Sequence, residues 1–141
     1  MNQKQTYASE ISVRFRDLDA MGHVNNAVYF TYFEEARKNF FRDISESGKP
    51  DFPFIMAHIG CDYLKPVKLS DRVAVKMQVS SIGSKSFGLR YELVNSSDES
   101  IVFAKGESVQ VCFDYKENKT MKVPANLKEK LSAFFAQEAK K

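Results

Sequence analysis

Apolar and polar residues alternate over residues 9–16, with Ile11, Val13 and Phe15 on one side and Ser12, Arg14 and Arg16 on the other, the period-two pattern of a strand with one buried face. From Asn26 to about Ser45 the spacing becomes helical. Tyr29, Tyr32, Phe33, Ala36, Phe40 and Ile44 share one stripe while Phe30 and Phe41 lie off it, so this helix is apolar over more than one face and calls for burial on several sides. A polar loop with Gly22 covers residues 17–25, and a second loop, 46–53, holds Gly48, Pro50 and Pro53. Strands are predicted over 54–64, 72–81, 86–94 and 101–114, with turns at 65–71, 83–85 and 95–100. Connections this short, with no helix between strands, require antiparallel pairing. A last helix is predicted after Pro124, with Asn126 as N-cap, Glu129 at the capping-box position and Leu127, Leu131, Phe134 and Phe135 on one face. One strand, one long apolar helix and four long antiparallel strands predict an α+β protein in which a curved sheet wraps the helix.

With 141 residues the chain suits a single domain, 1–141, and no repeat or low-complexity linker divides it. Hydrophobic residues at 43% and charged residues at 28% place it among soluble globular proteins, and twelve Phe with six Tyr and no Trp point to a core or pocket built from rings. A net charge of +3 without a Lys/Arg block argues against nucleic acid and favours at most a small anion. Residues 1–10 lack the apolar stretch of a signal peptide, and the longest apolar run, 52–57, is too short to cross a bilayer, so the expectation is a cytoplasmic protein without membrane insertion. Lys140 and Lys141 read as a frayed tail. Cys61 and Cys112 sit in strand-like stretches without metal-ligand spacing and read as buried free thiols; no local pattern supports pairing either with His23 or His58 for catalysis. No metal and no organic cofactor is expected.

The chemically dense stretch runs from Arg16 through Asp17, Asp19, Gly22, His23, Asn25 and Asn26, immediately before the long helix. A helix N-terminus offers unpaired N–H groups and the positive end of a dipole, which can polarise a carbonyl and hold an oxyanion. Asp19 therefore stands as an acid beside an electrophilic site. On spacing alone a structural reading stands next to it: Asp and Asn cap helices, Gly22 makes a turn, and Asp17 could pair with Arg14 or Arg16. Likewise Tyr29, Tyr32 and Phe33 could line a pocket or belong to the core. His58 reads as a core or interface histidine, and of Glu34 and Glu35 one is expected to pair with Arg37 or Lys38.

The pattern D-x-D-x-x-G-H-V-N-N-x-x-Y, with Glu34-Glu35-Ala36-Arg37 following, resembles the 4-hydroxybenzoyl-CoA thioesterase family of hotdog proteins, especially its long-chain acyl-CoA thioesterase branch. Similarity extends to the segment from Ile59 to Val67 with its Tyr-x-x-Pro exit, to Ser70-Asp71-Arg72-Val73, to Gly83-Ser84-Lys85-Ser86-Phe87 and to Lys122-Val123-Pro124. The resemblance implies a hotdog fold, a curved five-stranded antiparallel sheet around one long central helix with a short C-terminal helix. It implies homodimers or homotetramers with sites at the dimer interface, and an acyl-CoA substrate, with acyl carrier protein as the other candidate carrier. It assigns the catalytic carboxylate to Asp19 and the carbonyl-polarising N–H to Asn26, with His23 beside them, and it matches Lys85 to the position that faces the CoA phosphates, with Lys65 or Lys68 as the alternative grip. Tyr29, Asn25 and Ser86 are the further expected substrate-binding residues. A thioester leaves as a thiolate of pKa about 8.5 and needs little help from a general acid, so one carboxylate and one oxyanion site can suffice, with Asp19 acting as general base or as nucleophile. The absence of G-x-S-x-G argues against a serine hydrolase route. The alternatives are a hotdog dehydratase or hydratase and a non-catalytic acyl-CoA or acyl-carrier-protein binding module.

Overall fold

The computed structural model describes residues 5–45, 48 and 54–136. Its elements run β1 (Tyr7–Ile11), a single 3₁₀ turn (Phe15–Asp17), α1 (Val28–Ile44), β2 (Phe54–Tyr63), β3 (Val73–Ile82), β4 (Ser86–Asn95), β5 (Val102–Asp114), β6 (Lys119–Thr120) and α2 (Ala125–Ser132). The sheet order is β1-β3-β4-β5-β2, every pairing is antiparallel, and the two-residue β6 adds to β5 beyond the five strands expected. β2 through β5 start and stop within one residue of the expected bounds, because each is delimited by a turn with its own chemistry. The loop expected over 46–53 and the tail at Lys140 and Lys141 lie, apart from residue 48, outside the described residues.

α1 lies against the inner face of the sheet. Tyr29, Tyr32, Phe33, Ala36 and Phe40 are buried as the stripe predicts, and Phe41, off the stripe, is also buried because it meets Phe54 of β2 and Phe87 of β4 with ring centroids 4.7 and 5.9 Å apart. Phe33 stacks on Tyr91 at 4.7 Å. This close approach depends on β5, where a Cβ on Gly106 would stand 2.6 Å from the Phe33 ring. Burial is less complete than the sequence predicts: Thr31, Glu34, Glu35, Lys38 and Arg42 form an exposed flank, with Glu35 paired to Lys38 at 3.6 Å. Arg37 turns inward instead, reaching the Tyr91 hydroxyl at 3.2 Å with its guanidinium over the ring.

Two local expectations are corrected. The first strand begins earlier and ends at Ile11, and Phe15 is 80% exposed on the 3₁₀ turn, because the Asp17 carboxylate takes the Arg14 N–H at 2.9 Å and bends the chain there. The last helix starts at Ala125 with Pro124 as N-cap and no side-chain cap, so Asn126 lies inside the first turn and no capping box forms. Leu127 and Leu131 are buried as expected, while Phe135 has left the helix and bridges Val79.

Candidate active site

The loop between the 3₁₀ turn and α1 is tied down at both ends. Val24 N–H donates to Val67 O at 2.8 Å, Asn25 N–H to Asp17 O at 2.9 Å, and His23 bridges Lys68. Between these anchors Gly22, at φ +81°, lets the chain fold back so that Asp19 N–H reaches His23 O at 2.7 Å. Asp19 Oδ1 accepts the N–H groups of Met21 at 2.9 Å and His23 at 3.1 Å. Oδ2 has no hydrogen-bond partner among the described residues. One oxygen thus fixes the side chain and the other is available.

Asn25 makes the turn ahead of α1: its Oδ1 accepts Ala27 N–H at 2.8 Å and its carbonyl accepts Val28 N–H at 2.9 Å, while the N-cap itself, Ala27, has no side-chain cap. The Asn25 side chain is committed to this turn and does not line the recess. The hydrogen bonds pass over the Asn26 N–H, which finds no acceptor among the described residues and stays open at the positive end of α1. Asp19, His23, Val24, Asn26, Tyr29, Tyr63, Leu64, Lys65 and Pro66 together enclose a recess of about 230 Å³. Tyr29 is buried, with its hydroxyl directed at Lys65 O at 3.4 Å, and burial raises its pKa above the ordinary tyrosine value. The His23 imidazole makes no hydrogen bond among the described residues, so its fixed contribution is through its backbone.

Asp17, two residues away, lives differently. Its side chain is 2% exposed and accepts from the Arg14 N–H, the Arg14 guanidinium at 3.2 Å and the Tyr32 hydroxyl at 2.7 Å. Burial pushes its pKa up, but the three hydrogen bonds and the Arg14 charge outweigh that and hold the carboxyl below its usual range. Desolvation and the bond to Asp17 together raise the Tyr32 hydroxyl well above its ordinary value. Asp17 is thus a structural anchor, with Arg14 rather than Arg16 as its ion-pair partner.

Lys85 and Ser86 are not brought to this recess within one chain. Ser86 pairs with Val111 and Val111 with Ile55, so the β3–β4 hairpin lies at the start of β2 whereas the recess lies at its end, Tyr63. Eight residues of strand separate the two places, about 26 Å at the usual rise per residue. A larger groove of about 490 Å³ is found at that first end, floored by Phe41, Phe54 and Met56 and rimmed by the exposed flank of α1. Among the described residues it is the smaller recess that joins a free carboxylate oxygen to a free helix-start N–H. His58 is exposed and paired with Glu107 at 3.0 Å, not a core residue. Cys61 is half-buried and burial pushes its thiol up to about 11, far from a reactive thiolate. The sequence does not assign Tyr63, Leu64 and Pro66 to the site and offers Lys65 there only as an alternative phosphate ligand; Tyr63, 41% exposed at the end of β2, reaches the recess through the way the sheet curls around α1.

The family model described as the Thioesterase-like superfamily matches residues 13–131. The chain belongs to this superfamily. Among relatives of this thioesterase-like chain, the long-chain acyl-CoA thioesterase FadM of Escherichia coli (strain K12) is 32% identical over 127 residues, 87% of this chain and 95% of that protein. The YsmA protein of Bacillus subtilis (strain 168) is 33% identical over a shorter stretch, 61% of this chain and 59% of its own length. A solved thioesterase from Thermus thermophilus, in complex with coenzyme A and Zn, superposes with a TM-score of 0.80 at 31% identity, covering 94% of this chain and 96% of that one. Among the described residues no helix is long and apolar enough to cross a membrane.

Proposed function

We propose that the protein hydrolyses acyl-CoA thioesters to a free acid and CoA, with Asp19 as general base or nucleophile and the Asn26 N–H as oxyanion donor. The observation that carries this reading is the pairing, in one recess, of an Asp19 carboxylate anchored through a single oxygen with an unbonded N–H at the start of α1. As general base, Asp19 takes a proton from a water whose oxygen attacks the thioester carbonyl. The oxyanion rests on the Asn26 N–H, the C–S bond breaks, and the thiolate leaves with the proton that Asp19 held. As nucleophile, Asp19 attacks the thioester carbonyl, the C–S bond breaks and the CoA thiolate leaves, and water then hydrolyses the resulting mixed anhydride to the free acid and the Asp19 carboxylate. The resemblance to the 4-hydroxybenzoyl-CoA thioesterase family and to FadM supports the same substrate class.

The substrate-binding roles of Tyr29, Lys85 and Ser86 fit an assembly of two chains. β2 is an edge strand bearing exposed Ile55, Met56 and Tyr63. A two-fold pairing runs two β2 strands antiparallel, which sets the Phe54 end of one chain against the Tyr63 end of the other. The partner's Lys85 hairpin and its apolar groove then adjoin the recess, one for the CoA phosphates and the other for the acyl chain. Lys65, at the recess itself, is the second phosphate ligand in this reading. Thiol release should be measured across acyl-CoAs of increasing chain length and with an aromatic acyl group. Turnover with at least one of them supports the proposal, and binding without thiol release across the whole series would replace it with the non-catalytic module.

A further inference from the structure

Asn26 supplies the oxyanion N–H in the proposed reaction, and its own carbonyl is poorly served by the helix that follows. An ideal α-helix would give that carbonyl the N–H of Phe30, but Phe30 donates to Ala27 O at 3.2 Å, and among the described residues the only backbone donor left is Tyr29 N–H at a long 3.4 Å. The Tyr63 hydroxyl fills the place, donating to Asn26 O at 2.7 Å from the last residue of β2, 37 positions along the chain. Its ring is held in turn, edge-on against Tyr29 with centroids 4.8 Å apart. Tyr63 also lines the recess beside Asp19. Desolvation raises the Tyr63 pKa, so the hydroxyl remains a donor through neutral pH.

We propose that Tyr63 is a positioning residue for hydrolysis, its hydroxyl clamping the Asn26 peptide so that the neighbouring N–H faces the developing oxyanion. The residue touches Asn26, and the reacting carbonyl is reached through it. Small displacements of a catalytic donor are costly in rate because the stabilisation is realised only at the transition-state geometry. The inference rests on the proposed hydrolysis, and its test keeps the two apart.

Tyr63→Phe keeps the ring contact with Tyr29 and the recess wall and removes only the hydroxyl. Steady-state hydrolysis of the best acyl-CoA, thermal unfolding and a kcat–pH profile are measured on wild type, Tyr63→Phe and Asp19→Asn. The expected result for Tyr63→Phe is a kcat lowered on the order of tenfold or more, with KM and the melting temperature close to wild type and a pH profile scaled down without moving. Three results would overturn the clamp: an unchanged kcat, a raised KM at unchanged kcat, which makes Tyr63 a binding wall, or a lowered melting temperature with normal kcat per folded enzyme, which makes it structural. Asp19→Asn judges the reaction itself. If wild type hydrolyses the thioester and Asp19→Asn does not, a full-rate Tyr63→Phe removes this inference alone.

Discussion

Asp17 and Asp19 are two residues apart and have opposite environments. Asp17 is buried among Arg14 and Tyr32, and both its oxygens are engaged. Asp19 is exposed at the recess and binds its own loop through one oxygen only. The folded-state pKa of Asp17 is lowered, so its carboxylate stabilises the fold above the unfolded-state value of about 3.9, and that contribution is lost as pH falls through the folded-state value. Asp17→Asn should therefore cost about 1–3 kcal/mol at pH 7, the range for a buried charge-assisted hydrogen bond, while kcat per folded enzyme stays near wild type. Denaturant unfolding at pH 7 and below about pH 4 checks the sign: the gap between the two proteins should narrow in acid. A gap independent of pH would remove Asp17 as the charged anchor, and a folded but inactive Asp17→Asn would move the catalytic role to it.

At the level of elements, the parts legible in the sequence were those set by neighbours along the chain. The β2 to β5 boundaries follow from turn residues, and the α1 stripe follows from its spacing. Phe15 broke the alternation because a side chain two residues on, Asp17, captured the Arg14 N–H and ended the strand direction. Asn126 had a capping sequence around it, yet the helix starts two residues earlier, where the extended Pro124 offers its carbonyl to Lys128 N–H at 2.9 Å. The loop carrying Asp19 and Asn26 was legible as a candidate site because its residues are contiguous. Tyr63 was not, since its bond to Asn26 spans 37 positions and depends on how the sheet curls around α1. Gly106 is a similar case: nothing local in β5 requires glycine, whereas the Phe33 ring packed over it and the Gly60 carbonyl of β2, 3.0 Å from where a Cβ would stand, do. Distances of this kind are set by tertiary packing, and a single sequence carries no direct trace of them.

For the whole molecule, the separation of Lys85 from Asp19 along β2 decides how the site is completed. If the proposed two-fold pairing is right, Asp19 of one copy works with Lys85 of the other. Each site of an Asp19→Asn dimer is dead and each site of a Lys85→Glu dimer binds CoA poorly, with a raised KM and kcat kept. A heterodimer of the two, purified with distinct tags, then contains one site with both native residues, so it should recover the wild-type KM at about half the wild-type kcat per dimer. A raised KM in the heterodimer means that Lys85 serves its own chain and the strand pairing is different.

The proposed hydrolysis depends above all on Asp19 as the group that activates water or attacks the thioester. Asp19→Asn is nearly isosteric, and its side-chain oxygen can still accept the Met21 and His23 N–H groups, so the loop and the melting temperature should be kept. The direct measurement is kcat for thiol release by folded Asp19→Asn against wild type at saturating acyl-CoA. The predicted result is a fall by a factor on the order of a hundred or more with substrate binding retained. Turnover at close to the wild-type rate would mean that Asp19 merely shapes its loop, and the proposed mechanism would be wrong.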